Sequence, residues 1–203
     1  MEQTTSSASS PTLSGSSPRS AGASGAKQQF LDVFKRETAT TRRVLKALSE
    51  TDTELRPHET SPCAREIVNT FTIEQGAIAA ALTDNWQWPP KFPPAPASFS
   101  EVISNFEATN QAVLQAIENT PDARLNETVT FFTGPKQLGD VPIIDLMWFM
   151  LLDHIHHRGQ LTVYLRMAGG KVPSGSSVAF GYLGFFGSRV GGLVEKSSPL
   201  RSM

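Results

Sequence analysis

The sequence has a single cysteine, Cys63, among its 203 residues, so it cannot form a disulfide bond within the chain. That usage favours a reducing compartment. The chain also lacks an apolar run of the roughly 18 residues that a membrane span needs, because Asp145 interrupts the longest one, over residues 143–152. Its first residues have neither the basic nor the apolar region of a signal peptide. These absences predict a soluble cytoplasmic protein that does not bind membranes.

Clusters of basic residues are missing as well. The 18 lysines and arginines are balanced by 19 acidic residues, and the pair Arg42 and Arg43 is the longest basic run. A surface that binds nucleic acid normally carries a basic patch or stripe. We therefore expect no nucleic acid among the partners of this protein.

The first half of the chain shows a polar tail and two helical patterns. Residues 1–26 are rich in Ser, Ala, Gly, Thr and Pro, which predicts a disordered tail because such a segment buries little apolar surface. Apolar residues at helical spacing predict a first helix over 27–49. A second helix is expected to begin with Ser61 as its cap and Pro62 in its first turn, and to end by Asn85.

A proline-rich connector separates the second helix from a third. Residues 86–96 include five prolines and cannot be helical. Trp86, Trp88 and Phe92 on this connector either pack across an end of the fold or line a small-molecule pocket. The next apolar stripe predicts a third helix over 98–119, with a serine as its cap.

The last helical pattern, over residues 142–168, is apolar on nearly all sides in its first part, which is typical of a central helix. Asp140 is expected to cap it, and alternation in 127–132 predicts a short hairpin or extended segment before it. Residues 174–203, rich in Gly and Ser, are expected to form an irregular, poorly ordered arm. The chain is therefore predicted to be an all-α four-helix bundle over residues 27–173.

Three of the four histidines lie together on this last helix, at positions 154, 156 and 157. His157 shares a helix face with Asp153 and His154, because residues three or four apart are neighbours on the helix surface. An aspartate and a histidine at i and i+4 can bind one metal ion. The same two residues can instead form a buried hydrogen-bonded pair. Alternatively, the imidazole of the histidine can act as a general base. The residues alone leave these alternatives open.

The stretch Leu151–Pro173, LLDHIHHRGQLTVYLRMAGGKVP, resembles the last helix of the DinB/YfiT-like family. The second helix, which opens PCAREIVN, and the proline-rich connector follow the same order, so the resemblance covers about residues 27–173. Members of this family are four-helix bundles and are commonly dimeric. Many bind a divalent metal through one histidine on the second helix and two on the last. They include thiol S-transferases, thiol-dependent isomerases and proteins regarded as metal-dependent hydrolases.

Of the three ligand positions that the resemblance implies, only His157 is a histidine here. Asp153 stands at the first position on the last helix, and Thr70 at the position on the second. Carboxylates also bind zinc, manganese or nickel, so Asp153 is expected to replace the first histidine. Glu74, one turn beyond Thr70, is the expected third ligand, and His154 is a further candidate.

The other motif residues are expected to be structural. Arg158 and Tyr164 are expected to pack or pair inside the bundle, and Gly159 to permit close approach of another helix. Glu66, one turn before Thr70, is a weaker candidate ligand than Glu74, which lies deeper in the second helix.

Two functions from different classes follow. The first is a divalent-metal-dependent enzyme, with metal ligands among Asp153, His157, His154 and Glu74 and with His157 and Glu74 as catalytic residues. The ion would activate water for hydrolysis, or a low-molecular-weight thiol for transfer to a small-molecule substrate. The alternative is a metal-free bundle that binds a ligand or another protein after losing the site. A homodimer is expected in either case, and an interaction module based on the aromatic C-terminal arm is a third hypothesis.

Overall fold

The computed structural model describes residues 19–91 and 94–175, with side chains from residue 25 onward. Two short 3-10 turns lie at Glu50–Asp52 and Asp122–Asn126. The architecture confirms the predicted all-α four-helix bundle, with one small hairpin added. The elements are α1 (Arg19–Ala47), α2 (Ala64–Leu82), α3 (Phe99–Asn119), β1 (Thr128–Gly134), β2 (Gln137–Pro142) and α4 (Ile143–Met167).

The helices bury two apolar clusters, one towards each end of the bundle. Ala64 and Phe99, which begin α2 and α3, belong to one cluster, and Leu82 and Ile117, near the ends of these helices, belong to the other. Consequently α2 and α3 run parallel. The connector over 83–98 therefore has to return the chain along the length of the bundle.

A buried polar layer lies between the two apolar clusters, and all four helices contribute to it. Burying a polar group without a partner costs about 1–3 kcal/mol, so a layer of this kind requires internal hydrogen bonds. The candidate functional residues lie in and beside this layer. Its members are Glu37, Thr38 and Thr41 on α1, Glu74 and Gln75 on α2, Asn110 on α3, and His154 and Arg158 on α4.

The first helix begins earlier than its apolar spacing indicates. It starts at Arg19 rather than at residue 27, inside the segment that was expected to be a disordered tail. Lengthening an existing helix costs less free energy than starting one, because no new helical nucleus has to form. Residues 1–18 lie outside the described residues.

The start of α2 differs from the prediction that Ser61 caps it with Pro62 in the first turn. The helix begins at Ala64, and Cys63 is its N-cap. The backbone N–H of Cys63 donates to the carboxylate of Glu66 at 2.7 Å, and the next two N–H groups donate to carbonyls of the loop after α1. Long-range contacts thus satisfy the donors that a local cap would otherwise bind.

The extended segment before α4 forms a hairpin, as one of the two predicted alternatives. β1 and β2 pair antiparallel, and Asp140 lies opposite Thr130 within the sheet. Asp140 is therefore not the cap of α4, which begins at Ile143 directly after Pro142. An aspartate before an apolar run is compatible with a strand end as well as with a helix cap, so this pattern does not distinguish the two.

Two tryptophans of the connector pack on this hairpin. The rings of Trp86 and Trp88 lie 6.0 and 5.9 Å from the ring of Phe131, between centroids. The indole N–H of Trp86 also donates to the carbonyl oxygen of Thr130. The contacts favour the packing interpretation over a pocket wall. Phe92 lies outside the described residues.

The fourth helix ends where the sequence predicts it, at a glycine pair. Gly169 has a φ of 78°, a conformation that favours glycine, and the N–H of Gly170 donates to the carbonyl oxygen of Leu165. Residues 176–203, which form most of the predicted arm, lie outside the described residues. Within the described part of the chain, no helix is both long and apolar enough to cross a membrane.

Candidate metal centre

Helices α2 and α4 bring Glu74, Asp153 and His157 together, with one ligand atom of each within 4.8 Å of the others. His157 Nδ1 lies 2.7 Å from Glu74 Oε1, at hydrogen-bond distance, and 3.9 Å from Asp153 Oδ1. Asp153 and His157 share a face of α4 because they are four residues apart. We call these three residues the acidic trio.

The acidic trio extends from the interior to the surface. The Glu74 side chain is 4% exposed, that of His157 22% and that of Asp153 42%. Glu74 is therefore held deep in the bundle by the packing of α2 against α4. An ion or small molecule has access from the side of Asp153.

The hydrogen bond to Glu74 raises the pKa of His157 above its ordinary value of 6.5. Burial of the ring opposes this shift, and the negative charges of Glu74 and Asp153 add to it. The pair therefore holds a proton more tightly than a free imidazole does. A metal ion that binds His157 has to displace this proton.

The residues of the acidic trio fit a divalent ion. Two carboxylates and an imidazole are ligands that zinc and manganese accept, and three protein ligands leave an open position. Glu74 Oε2 is buried and has no hydrogen-bond partner among the described residues. This oxygen is therefore free to bind an ion. Zinc with bonds of about 2.1 Å holds its ligand atoms about 3.4 Å apart. The two distances from His157, 2.7 and 3.9 Å, lie on either side of that value, and all three spacings are within 4.8 Å.

His154 lies beside the acidic trio rather than within it. Its Nε2 is 2.8 Å from Thr41 Oγ1 on α1, and its ring lies 4.4 Å from that of Phe71, between centroids. Its Nδ1 is 3.3 Å from Glu74 Oε2, although the two groups are not aligned as a hydrogen bond. The structure thus turns this candidate ligand towards the interior.

The other candidates on α2 have different roles. The hydroxyl of Thr70 donates to the backbone carbonyl of Glu66 at 3.1 Å. The carboxylate of Glu66 accepts from the N–H of Cys63 at 2.7 Å and lies 3.1 Å from Arg56 Nη1. Glu66 therefore stabilises the start of α2. The structure places Glu74, and not Thr70 or Glu66, against His157.

Arg158, the neighbour of His157, forms a buried ion pair. Its Nη2 donates to Glu37 Oε2 at 2.7 Å and its Nη1 to the carbonyl oxygen of Glu37 at 3.0 Å. Arg158 is 1% exposed and Glu37 8%. The expected pairing of Arg158 therefore occurs, but no pattern in the sequence indicates that Glu37 is the partner.

Two further expectations for α4 had different outcomes. The hydroxyl of Tyr164 donates to the carbonyl oxygen of Pro62 at 2.8 Å, which links the end of α4 to the loop before α2. A Cβ atom added to Gly159 would meet no described atom within 4 Å. Within the described part of the chain, no helix approaches Gly159, so the expected close approach is not observed there.

Comparison with known proteins agrees with this architecture. The fold is a four-helix bundle with a polar site between its second and last helices. The model of the DinB family matches residues 20–182, so the chain belongs to the DinB family. This confirms the resemblance that the last helix indicated.

Individual relatives are similar over most of the chain. The uncharacterized protein YrdA of Bacillus subtilis (strain 168) is 29% identical over 147 residues, which are 71% of this chain and 84% of that protein. A DinB-like protein from Bacillus cereus ATCC 10987 has a TM-score of 0.60 at 22% identity, covering 72% of this chain and 95% of its own. The DinB-like protein YjoA from Bacillus subtilis has a TM-score of 0.57 at 18% identity, covering 70% and 93%. These structures support the fold.

Proposed function

We propose that this DinB-family protein is a divalent-metal-dependent enzyme whose metal ligands are Glu74, Asp153 and His157. The convergence of these three side chains within 4.8 Å, between two helices and at a partly exposed edge, carries this proposal. Carboxylate and imidazole together form a donor set that manganese, zinc and nickel all accept, so each of them is a candidate ion.

The chain's own residues supply proton transfer and orientation around such an ion. When bound, the ion would lower the pKa of a water or thiol and so provide a nucleophile. Glu74 holds the imidazole of His157 in place from the interior. With Nδ1 bound to the ion, Nε2 would be the ring nitrogen left to donate a hydrogen bond to a substrate. The exposed carboxylate of Asp153 is placed to accept a proton from an entering molecule.

Space for a small molecule lies further along the same face of α4. Gln160 and Tyr164 follow His157 by about one and two helical turns. Together with Pro57, Ser61, Pro62 and Val163 they line a surface depression of about 260 Å³. This volume is slightly below the roughly 300–1,000 Å³ of typical ligand pockets, so the depression would hold only part of a small substrate.

Any thiol in the reaction has to come from outside the chain. Cys63 is fully buried at the start of α2, and burial raises the pKa of its thiol. Such a thiol is protonated and a poor nucleophile. A low-molecular-weight thiol is therefore the expected co-substrate if the reaction is S-transfer, and water if it is hydrolysis.

Metal analysis of protein purified without an affinity tag tests the proposal. We expect bound metal in the wild type, and an increase in melting temperature when Mn²⁺ or Zn²⁺ is added, since a ligand at 100 times its Kd stabilises the fold by about 2.7 kcal/mol. Asp153→Ala with His157→Ala should abolish both effects. His156→Ala is the matched control, because His156 is exposed and contacts Gln160 on its own helix. Absence of both bound metal and a thermal shift in the wild type would refute the proposal.

The alternative is a metal-free binding protein. Thr70 at the family's histidine position favours it, as does the direct hydrogen bond that links His157 to Glu74. Thr70→His separates the two functions. Metal affinity that arises only in this variant would support the alternative, whereas micromolar affinity in the wild type would exclude it.

A homodimer is consistent with both functions. One face of α4 carries large apolar side chains that are 41–53% exposed, namely Phe149, Leu152, Val163 and Met167. The exposed His156 and Gln160 separate the two apolar pairs on this face, and exposed apolar groups beside polar residues are typical of an interaction surface. We propose that a second copy of the chain covers it.

A further inference from the structure

A buried chain of polar contacts links α1 to the acidic trio through α4. Arg158 Nη1 lies 3.4 Å from Thr41 Oγ1, and Thr41 Oγ1 lies 2.8 Å from His154 Nε2. On the other side of the imidazole ring, His154 Nδ1 lies 3.3 Å from Glu74 Oε2. All four residues are at least 97% buried, so water does not compete for these contacts.

His154 Nδ1 is the ring nitrogen that faces Glu74. The hydroxyl of Thr41 determines whether this nitrogen carries the ring proton. Its single proton has two acceptors in reach, the carbonyl oxygen of Glu37 at 3.2 Å and His154 Nε2 at 2.8 Å. Arg158 Nη1 already donates to that carbonyl at 3.0 Å, and the contact with the ring is the shorter one. Donation to Nε2 leaves the ring proton on Nδ1, the nitrogen that faces Glu74.

His154 Nδ1 lies 3.3 Å from the second oxygen of the Glu74 carboxylate, close enough for electrostatic attraction although the two groups are not aligned as a hydrogen bond. Oε1 accepts from His157 at 2.7 Å, and Oε2 is the oxygen that faces His154. Because the two oxygens face different imidazoles, rotation of the carboxylate away from the acidic trio loses contacts on both sides. The Phe71 ring, 4.4 Å from that of His154 between centroids, restricts the imidazole as well.

We propose that Thr41 and His154 are positioning residues, which hold Glu74 with Oε1 directed at His157 and Asp153. This inference rests on the proposed metal-dependent function, because it assigns a role to residues that lie behind the metal ligands. Groups that orient metal ligands from behind typically contribute about 10- to 100-fold to metal affinity. His154 therefore contributes to metal binding without being a ligand.

Thr38 provides a matched comparison on the same helix. It is buried and lies about one turn before Thr41, but its hydroxyl donates to the carbonyl oxygen of Phe34 in its own helix at 2.8 Å. A Thr→Val change at either position removes one buried hydroxyl and keeps the side-chain shape. Only the change at Thr41 affects the contact with His154.

The test compares Mn²⁺ affinity by titration calorimetry with the melting temperature of the metal-free protein. We expect Thr41→Val to weaken Mn²⁺ binding about 10-fold, and Thr41→Ser to bind nearly as tightly as the wild type. Thr38→Val should lower the melting temperature as much as Thr41→Val does, yet leave the affinity unchanged. Co²⁺ bound in place of Mn²⁺ should show an altered visible absorption spectrum in Thr41→Val only.

Each outcome distinguishes the inference from the proposed function. Wild-type protein that binds neither ion refutes the proposed function. Wild-type protein that binds Mn²⁺, with Thr41→Val binding equally well or with Thr38→Val weakened equally, refutes the positioning role alone. If Thr41→Val does not fold, His154→Asn and His154→Leu replace it. Asparagine keeps a donor close to Glu74, so it should bind Mn²⁺ more tightly than leucine, and equal affinities would contradict the inference.

Discussion

Two ion pairs on adjacent residues of α4 differ in almost every respect. Arg158 pairs with Glu37 through two guanidinium nitrogens, and both side chains are buried. His157 pairs with Glu74 through one ring nitrogen, next to the half-exposed Asp153. Adjacent helical residues point about 100° apart, so one turn of α4 faces both the interior and the edge of the bundle. The first pair stabilises the fold, and the second is accessible for chemistry.

The largest expected effect comes from breaking the buried Arg158–Glu37 pair. Arg158→Met leaves Glu37 as an unpaired buried carboxylate, so we expect the free energy of unfolding to fall by about 3–5 kcal/mol. Urea denaturation followed by circular dichroism measures this loss. Adding Glu37→Gln to Arg158→Met should recover part of it, because no charge then remains buried. A loss below about 1 kcal/mol in the single variant would show that water reaches this pair.

A smaller effect on the free energy of unfolding is expected from titrating the His157–Glu74 pair. The pKa of His157 is raised in the folded protein, so the pair's contribution to stability is fully present below the unfolded pKa of about 6.5. This contribution is lost as the pH rises through the folded pKa. Metal affinity should increase over the same range, since the ion displaces the proton.

Urea denaturation between pH 5.5 and 9, with a chelator present, checks this dependence. The decrease in stability with rising pH should disappear in His157→Gln and persist in His156→Gln, which changes an exposed neighbouring histidine. A decrease that survives in His157→Gln would assign it to another group and weaken the distinction between the two pairs.

The smallest effect on stability is expected at the exposed end of the acidic trio. Asp153→Asn removes a half-exposed charge 3.9 Å from His157, so the free energy of unfolding should change by less than about 1 kcal/mol. The same variant should bind Mn²⁺ at least about 10-fold more weakly, because a ligand is lost. Chemical denaturation and calorimetry on one preparation give both values. A large loss of stability with unchanged affinity would reverse the assigned roles.

The fold was predictable because its signals are local. Apolar spacing identified all four helices, and the motif on the last helix identified the family. Helix starts were less predictable. Carbonyl groups of the loop after α1 accept hydrogen bonds from the first N–H groups of α2, and Asp140 is paired within the hairpin. Caps are decided by tertiary contacts as much as by the residue before the helix.

The site was predictable only where it follows from helical spacing. Asp153 and His157 share a face because of their i, i+4 relation, and Glu74 was found from its distance along α2 to Thr70. Thr41 and Glu37 carried no signal, because they meet His154 and Arg158 across 113 and 121 residues of sequence. Nothing in the sequence distinguishes Thr41 from its neighbour Thr38.

The Arg158–Glu37 pair also determines how α4 is rotated about its own axis. Inserting or deleting one residue just before Arg158 would turn the following part of the helix by about 100° relative to the part before it. Arg158 would then leave Glu37, which the buried charge strongly disfavours. His157 is covalently next to Arg158, so its direction towards Glu74 is maintained by a salt bridge in which it takes no part. The Arg158–Glu37 contact, on the other side of the polar layer, thus helps to set the direction in which the candidate centre faces.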